Sequence, residues 1–208
     1  MDQEKINQAL RHLRRVDPVM RGVIRKAGPF RLKPRRDRFY SLVSSILSQQ
    51  ISGKAAASIR ARLEAYVAPE TISAETLSRL KPDELRRIGV SPQKSIYLLD
   101  LAERVRRGDL KLQGLARLTD DQVIEALVQV KGIGVWTAQM FLIFSLGRLD
   151  ILPVDDLGLR AGVQDQYGLD ELPHKEQLSE LAEPWRPYRS IATWYLWRSR
   201  GFVPQSDK

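Results

Sequence analysis

Apolar residues recur along this chain at the spacing of a helix. In DRFYSLVSSILSQQ, Phe39, Leu42, Val43, Ile46 and Leu47 fall on one stripe, and SGKAAASIRARLEAYV follows with Ser52 placed to cap it. Lys81-Pro82-Asp83-Glu84 opens a short helix that stops near Gly89. Ser91-Pro92 opens another through QKSIYLLDLAERVRRG, with Gly108 at its C-terminal end. Thr119-Asp120-Asp121 caps QVIEALVQV. VWTAQMFLIFSLG is apolar almost throughout, which predicts a centrally buried helix. DDLGLRAGVQDQYG, HKEQLSELAEPW and YRSIATWYLWRSRG also read as helices. No stretch alternates apolar and polar residues between hairpin turns, so the expected fold class is all-α. Only the extreme ends and the basic stretch GPFRLKPRRDR read as loop.

Charge changes the picture next. Across 208 residues there are 34 Lys+Arg against 25 Asp+Glu, a net charge of +9 that points to an anionic partner, nucleic acid first. The absence of cysteine excludes disulfides, thiolate catalysis, zinc-thiolate sites and a cysteine-held iron–sulfur cluster. The two histidines, His12 and His174, are far apart, which argues against a histidine metal site. The opening MDQEKINQALRHLRR has no apolar signal core and no run reaches the length of a membrane span, so a cytoplasmic, nucleoid-associated protein is expected.

LVQVKGIGVWTAQM places Gly132-Ile133-Gly134 between two helical segments. Such a turn leaves backbone N–H groups at the start of the second helix, where the helix dipole favours an anion such as a phosphate. Glycines there supply unusual dihedrals and let a phosphodiester approach the amides, and Lys131 adds a cation. On spacing alone, an ordinary tight helix–helix turn fits equally well.

The full string resembles the helix–hairpin–helix of the DNA glycosylase superfamily, in which hydrophobic-x-Gly-hydrophobic-Gly is followed two residues later by Thr-Ala. ILPVDDLGLRAGV resembles that superfamily's Gly/Pro-rich loop with its essential aspartate, and SILSQQISGKAA resembles the helix–turn element that probes the DNA stack. The three motifs stand in the family order from about Phe39 to Arg160. The tail WRPYRSIATWYLWRSRGF resembles the end of the 3-methyladenine DNA glycosylase II group.

The resemblance implies a set of roles. Amides near Gly132, Gly134 and Trp136 would bind a phosphate of the lesion strand. Main-chain carbonyls of Val128, Val130 and Ile133 would hold a sodium or potassium ion that takes no part in the chemistry, and no other cofactor is implied. Lys131 stands where proline is common. Trp136 stands where the strand-cutting branches carry a Schiff-base lysine, which implies a monofunctional enzyme that leaves an abasic site. Breaking an N-glycosidic bond develops positive charge on the sugar, so a nearby carboxylate stabilises it and directs water. Asp155 and Asp156 could both serve; the resemblance puts catalysis on Asp156 and leaves Asp155 to cap the following helix.

An alkylated purine is cationic and already a good leaving group, so recognition by aromatic faces matters more than acid catalysis. Trp136 and Trp197 are the expected pocket residues, with Tyr195 and Trp194 as neighbours and Met140 at a position that can carry tyrosine. Trp185, Tyr188 and Trp194 are expected mainly in the core. Gln50 is the expected wedge that fills the gap left by the flipped base, with Gln49 and Ile51 beside it. Lys54, Arg60 and Lys94 are further basic residues for phosphates.

The expected architecture has one lobe over about 39–150, with the helix–hairpin–helix at 119–146. The other combines about 1–38 with 151–208, and a cleft between the lobes holds the base. The larger members of the branch carry an N-terminal β-domain for which this chain leaves no room. The expected partner is duplex DNA containing alkylated bases, met by a monomer with no membrane association. Two rivals stay open: a glycosylase for ethenoadenine, 1-methyladenine, oxidised or mismatched bases, and a non-catalytic module whose binding does not depend on Asp156.

Overall fold

The computed structural model describes Asp2–Gly201; Phe202, the last residue of the aromatic tail, lies outside the described residues. In chain order the α-helices are α1 (Gln3–Val16), α2 (Pro18–Ala27), α3 (Arg38–Ser48), α4 (Gly53–Val67), α5 (Ala74–Ser78), α6 (Pro82–Arg87), α7 (Pro92–Arg107), α8 (Asp120–Val128), α9 (Val135–Phe141), α10 (Leu157–Tyr167), α11 (Lys175–Ala182) and α12 (Arg189–Ser199). Two 3-10 segments, Leu112–Arg117 and Glu183–Trp185, and a π-helical segment, Leu142–Leu146, complete the regular structure of the described residues, which contain no strand. The fold is all-α. No helix among them is long and apolar enough to cross a membrane.

Capping explains most boundaries. The Ser52 side chain accepts from Ala55 N–H, Ser91 from Lys94 N–H with Pro92 at the first helical position, and Thr119 forms a reciprocal box with Gln122. Gly108 ends α7 in the left-handed conformation. The sequence predicts loop at the extreme N-terminus, whereas α1 begins at Gln3, capped by Asp2, and buries Ile6, Ala9 and Leu13.

The chain divides into two compact units. One is Arg35–Phe141; the other comprises the described residues up to Pro34 and from Leu142 onward. In the first, α3 packs on α4, α7 and α9, α5 and α6 pack on α7, and α8 packs on α9. In the second, α12 packs against α2 and α10, and every residue from Ser190 to Trp197 is buried. The second crossing therefore falls at Phe141, not near Asp150 as the sequence suggests. The segment around Asp150 is bound to the start of α12: Arg189 Nε donates to Asp150 Oδ1 at 2.8 Å, and Ser190 N–H donates to Leu149 O at 2.9 Å.

The apolar run VWTAQMFLIFSLG also departs from expectation. It is no single buried helix, because Val135 and Trp136 are exposed on the first turn of α9 and Leu142–Leu146 is π-helical. The helix buried on all sides is α12.

Candidate active site and nucleic-acid interface

Two sites are built, one in each unit. The first centres on Asp156. The peptide from Leu152 to Asp156 turns tightly, with Val154 N–H on Leu152 O at 3.0 Å and Asp156 N–H on Pro153 O at 2.9 Å. Asp156 then caps α10: its Oδ1 accepts from Leu159 N–H at 2.6 Å. The same oxygen accepts from Trp197 Nε1 at 2.7 Å, across from α12. Both residues are buried, Asp156 at 9% and Trp197 at 4% exposure. The indole is held in turn by Phe144 of the π-helical segment, with ring centroids 5.7 Å apart and nearly parallel.

Glycines make room for this arrangement. A Cβ on Gly158 would stand 3.2 Å from Asp156 Oδ1 and 3.3 Å from Trp197 Cδ1, and one on Gly162 would stand 3.0 Å from Leu196 O. Spaced four apart, the two glycines share a face of α10 and let it lie close on α12. What results is a buried carboxylate that a helix amide and an indole help to orient, the preorganised form that charge stabilisation requires.

The second site is the α8–α9 hairpin with the α3–α4 turn beside it. Gly132 has φ +80°, and a Cβ there would fall 2.1 Å from the Tyr97 ring, so conformation and space both demand glycine. Gly134 differs from expectation. It has no positive φ, and a Cβ there would meet nothing within 4 Å, so neither conformation nor packing demands glycine. Lys131 is exposed at the turn.

Gln50, at the tip of the α3–α4 turn, has φ +56° and is the one non-glycine residue with positive φ among those described. That conformation costs about 1–2 kcal/mol for a residue with a Cβ. Gln50 and Ile51 are exposed, whereas Gln49 turns inward and donates from Nε2 to Gly132 O at 2.8 Å. A glycine would relieve the strain, so the side chain is retained against the preference of the backbone. Gln50→Gly is expected to keep stability or raise it by up to about 1 kcal/mol, since the glycine's greater unfolded freedom offsets part of the relief. Base release should fall at the same time. Urea denaturation beside a release assay checks this, and a stability loss with release unchanged would count against the wedge role.

Residues 43–187 match the family described as HhH-GPD superfamily base excision DNA repair protein. The chain belongs to that superfamily. It is similar to the alkylbase DNA glycosidase-like protein mag2 of Schizosaccharomyces pombe, 30% identical over 196 residues that cover 92% of each chain. Among solved structures it resembles the Schizosaccharomyces pombe 3-methyladenine DNA glycosylase in complex with abasic DNA, with TM-score 0.85 and 30% identity over 96% of this chain and 100% of that one. It also resembles a DNA-3-methyladenine glycosidase from Bacillus halodurans, with TM-score 0.84 and 39% identity over 93% of this chain and 89% of that one.

Within this HhH-GPD chain several expected assignments shift. Asp155 does not cap α10. It lies one residue too early, is exposed, and pairs with Lys175. Trp197 is spent on Asp156 and Phe144, which makes it a support for the carboxylate in place of an open stacking face. Tyr195 is not brought to Asp156: its ring packs on Trp194 and near Phe30, its hydroxyl donates to Gly28 O at 3.0 Å, and burial pushes its pKa up to about 12. Met140 is buried in the unit that carries the hairpin, and Trp136 is 44% exposed there. Lys94 is not directed at solvent phosphates. Its Nζ donates to Leu47 O and Gln49 O, both at 2.7 Å, and burial lowers its pKa.

Of the carbonyls expected to hold an alkali cation, that of Val128 closes α8, at the negative end of its dipole, while Val130 lies in the turn and Ile133 just before α9. Lys131 N–H, which could reach back toward that end, instead donates to Asp100 Oδ2 at 2.9 Å, and Val130 O accepts from Ile133 N–H at 3.0 Å. Neutral carbonyl oxygens are the ligand type a hard monovalent ion takes, and Val130 O already serves the turn itself.

Sequence reasoning missed Gly158, Phe144, Tyr97 and Asp100. Only Gly158 carries a local signal, its four-residue spacing from Gly162.

Proposed function

We propose that the chain is a monofunctional DNA glycosylase that releases alkylated purines, 3-methyladenine and 7-methylguanine, from duplex DNA. The carrying observation is the buried Asp156 carboxylate held by Leu159 N–H and Trp197 Nε1. In this reading the cationic base leaves as a neutral molecule with the electrons of the N-glycosidic bond. The carboxylate opposes the positive charge left on the sugar. Water adds hydroxide at C1′ and its proton passes to the carboxylate or solvent. Names of the similar proteins, which refer to alkylated bases, 3-methyladenine and abasic DNA, support the substrate class.

The hairpin amides near Gly132, Gly134 and Trp136 receive a phosphate, with a sodium or potassium ion on Val128, Val130 and Ile133 carbonyls adding charge at the same turn. Trp136, 44% exposed, stands where an amine would be needed for strand cutting. One chain supplies every residue assigned a role, so a monomer suffices.

Incubation with methylated duplex DNA tests the reading. Free 3-methyladenine or 7-methylguanine should accumulate, leaving unbroken strands with abasic sites, and borohydride should trap no covalent protein–DNA adduct. A trapped adduct would overturn the monofunctional assignment, and tight binding without base release would overturn catalysis on these lesions.

A further inference from the structure

The α3–α4 turn and the α8–α9 hairpin are tied together through one face of α7. Lys94, Tyr97 and Asp100 follow one another at three-residue spacing, so each neighbours the next on the helix surface. Lys94 Nζ donates to Leu47 O and Gln49 O, capping the end of α3, where a cation is favoured. The Tyr97 ring lies directly against Gly132. Asp100 Oδ2 accepts from Lys131 N–H at 2.9 Å and is steadied by Arg104 Nε, also at 2.9 Å. Gln49 Nε2 on Gly132 O closes the ring between turn and hairpin.

A turn that only had to reverse the chain would need none of this. A lysine is drawn partly out of solvent to hold the part-buried Leu47 and Gln49 carbonyls. Gln49 spends its amide inward while its neighbour Gln50 is kept in a strained backbone state. The two DNA-facing elements do different work: the hairpin meets phosphate, which fixes register, and Gln50 meets the base stack.

We propose that Gln49, Lys94, Tyr97 and Asp100 are positioning residues that lock the Gln50 turn to the hairpin, so that a phosphate held at the hairpin sets where Gln50 enters the duplex. The proposal rests on the reading above, in which these elements grip DNA and Gln50 fills the gap. Misplacement by about 1 Å is enough to cost around a hundredfold in a reaction that depends on alignment.

Binding to two duplexes, one undamaged and one carrying a tetrahydrofuran abasic analogue beside 2-aminopurine, tests the lock without requiring chemistry. In Gln49→Met and Lys94→Met, affinity for undamaged duplex should stay within about twofold, while preference for the analogue and the 2-aminopurine response fall about tenfold. The double variant should be no worse than either single one, because both break the same ring, and Lys94→Arg should recover most of the preference. Gln49 is only partly buried, so Gln49→Met keeps the test open if Lys94→Met does not fold.

Unchanged preference in the single variants, losses that multiply in the double, or a parallel fall in undamaged binding would each overturn the lock. So would a parent chain with no preference for the analogue, since no insertion would remain to be positioned. Failure of the parent to release any base from methylated DNA would defeat the proposed activity and still leave this binding comparison decisive.

Discussion

Asp156→Asn is expected to lower base release by about 10²–10³-fold while DNA binding and the fold are kept. The substitution removes the charge and keeps the shape of the side chain. An asparagine oxygen can still accept from Leu159 N–H and Trp197 Nε1, and asparagine caps a helix about as well as aspartate. The side chain therefore stays where it is, with Gly158 still making room beside it. What disappears is the negative charge that opposes the developing oxocarbenium ion, in a buried place where water screens it poorly.

The measurement is release of 7-methylguanine from methylated duplex under single-turnover conditions, corrected for spontaneous depurination. Affinity for undamaged duplex and the midpoint of urea unfolding are followed alongside. A variant that binds and folds like the parent but scarcely releases base places the chemistry on the carboxylate. One that releases base normally reduces Asp156 to a cap, and the chemistry would have to rest on another group.

The parts of this arrangement legible in the sequence are those whose cause is local. Ser52, Ser91-Pro92, Gly108 and Thr119 mark helix ends because a cap acts on amides or carbonyls within a turn of itself. Gly132 can be picked out because a chain reversal between two helices demands it, and Asp156 because its surroundings resemble a family motif.

Contacts between distant residues leave no such mark. Trp197 and Asp156 stand 41 positions apart, and Gln49 and Gly132 stand 83 apart. Trp197 therefore reads as one aromatic among many in the tail, and Gln49 as a second glutamine beside the wedge. The error over Asp155 has the same origin. Two adjacent aspartates are equivalent to a capping rule until the backbone shows which of them directly precedes the first helical residue. The buried helix is hidden for a related reason. Apolar density in VWTAQMFLIFSLG outweighs the mixed composition of α12, whose polar and aromatic groups are buried because distant partners satisfy several of them.

Asp17→Ala should produce a large stability loss, about 3–5 kcal/mol, without touching the chemistry of a folded molecule. Asp17 sits at the corner between α1 and α2, only 8% exposed, and four donors converge on it. Its Oδ1 accepts from Val19 N–H at 2.9 Å and Met20 N–H at 3.0 Å, capping α2. Its Oδ2 accepts from Trp185 Nε1 at 2.8 Å and from the Tyr167 hydroxyl at the end of α10. Burial and the adjoining carboxylate push the Tyr167 phenol well above its ordinary pKa, so it remains a donor at any physiological pH.

Alanine removes the cap, worth about 1 kcal/mol, and strands the buried Trp185 indole N–H and the part-buried Tyr167 hydroxyl at about 1–2 kcal/mol each, the lower half of the usual range. Asp17→Asn should do only somewhat better. The single oxygen of an asparagine can serve one side of the corner, and its amide must then face donors on the other, of which the indole and the backbone N–H groups cannot accept. Tyr167→Phe, which deletes one donor and leaves the carboxylate with three, should cost about 1 kcal/mol. Urea unfolding of the three variants should therefore rank Asp17→Ala as most harmful, Asp17→Asn next and Tyr167→Phe least. Base release per folded molecule should be unchanged in all three. If Asp17→Ala cost no more than Tyr167→Phe, water would be reaching the corner, and the packing of α2 on α12 would not depend on it.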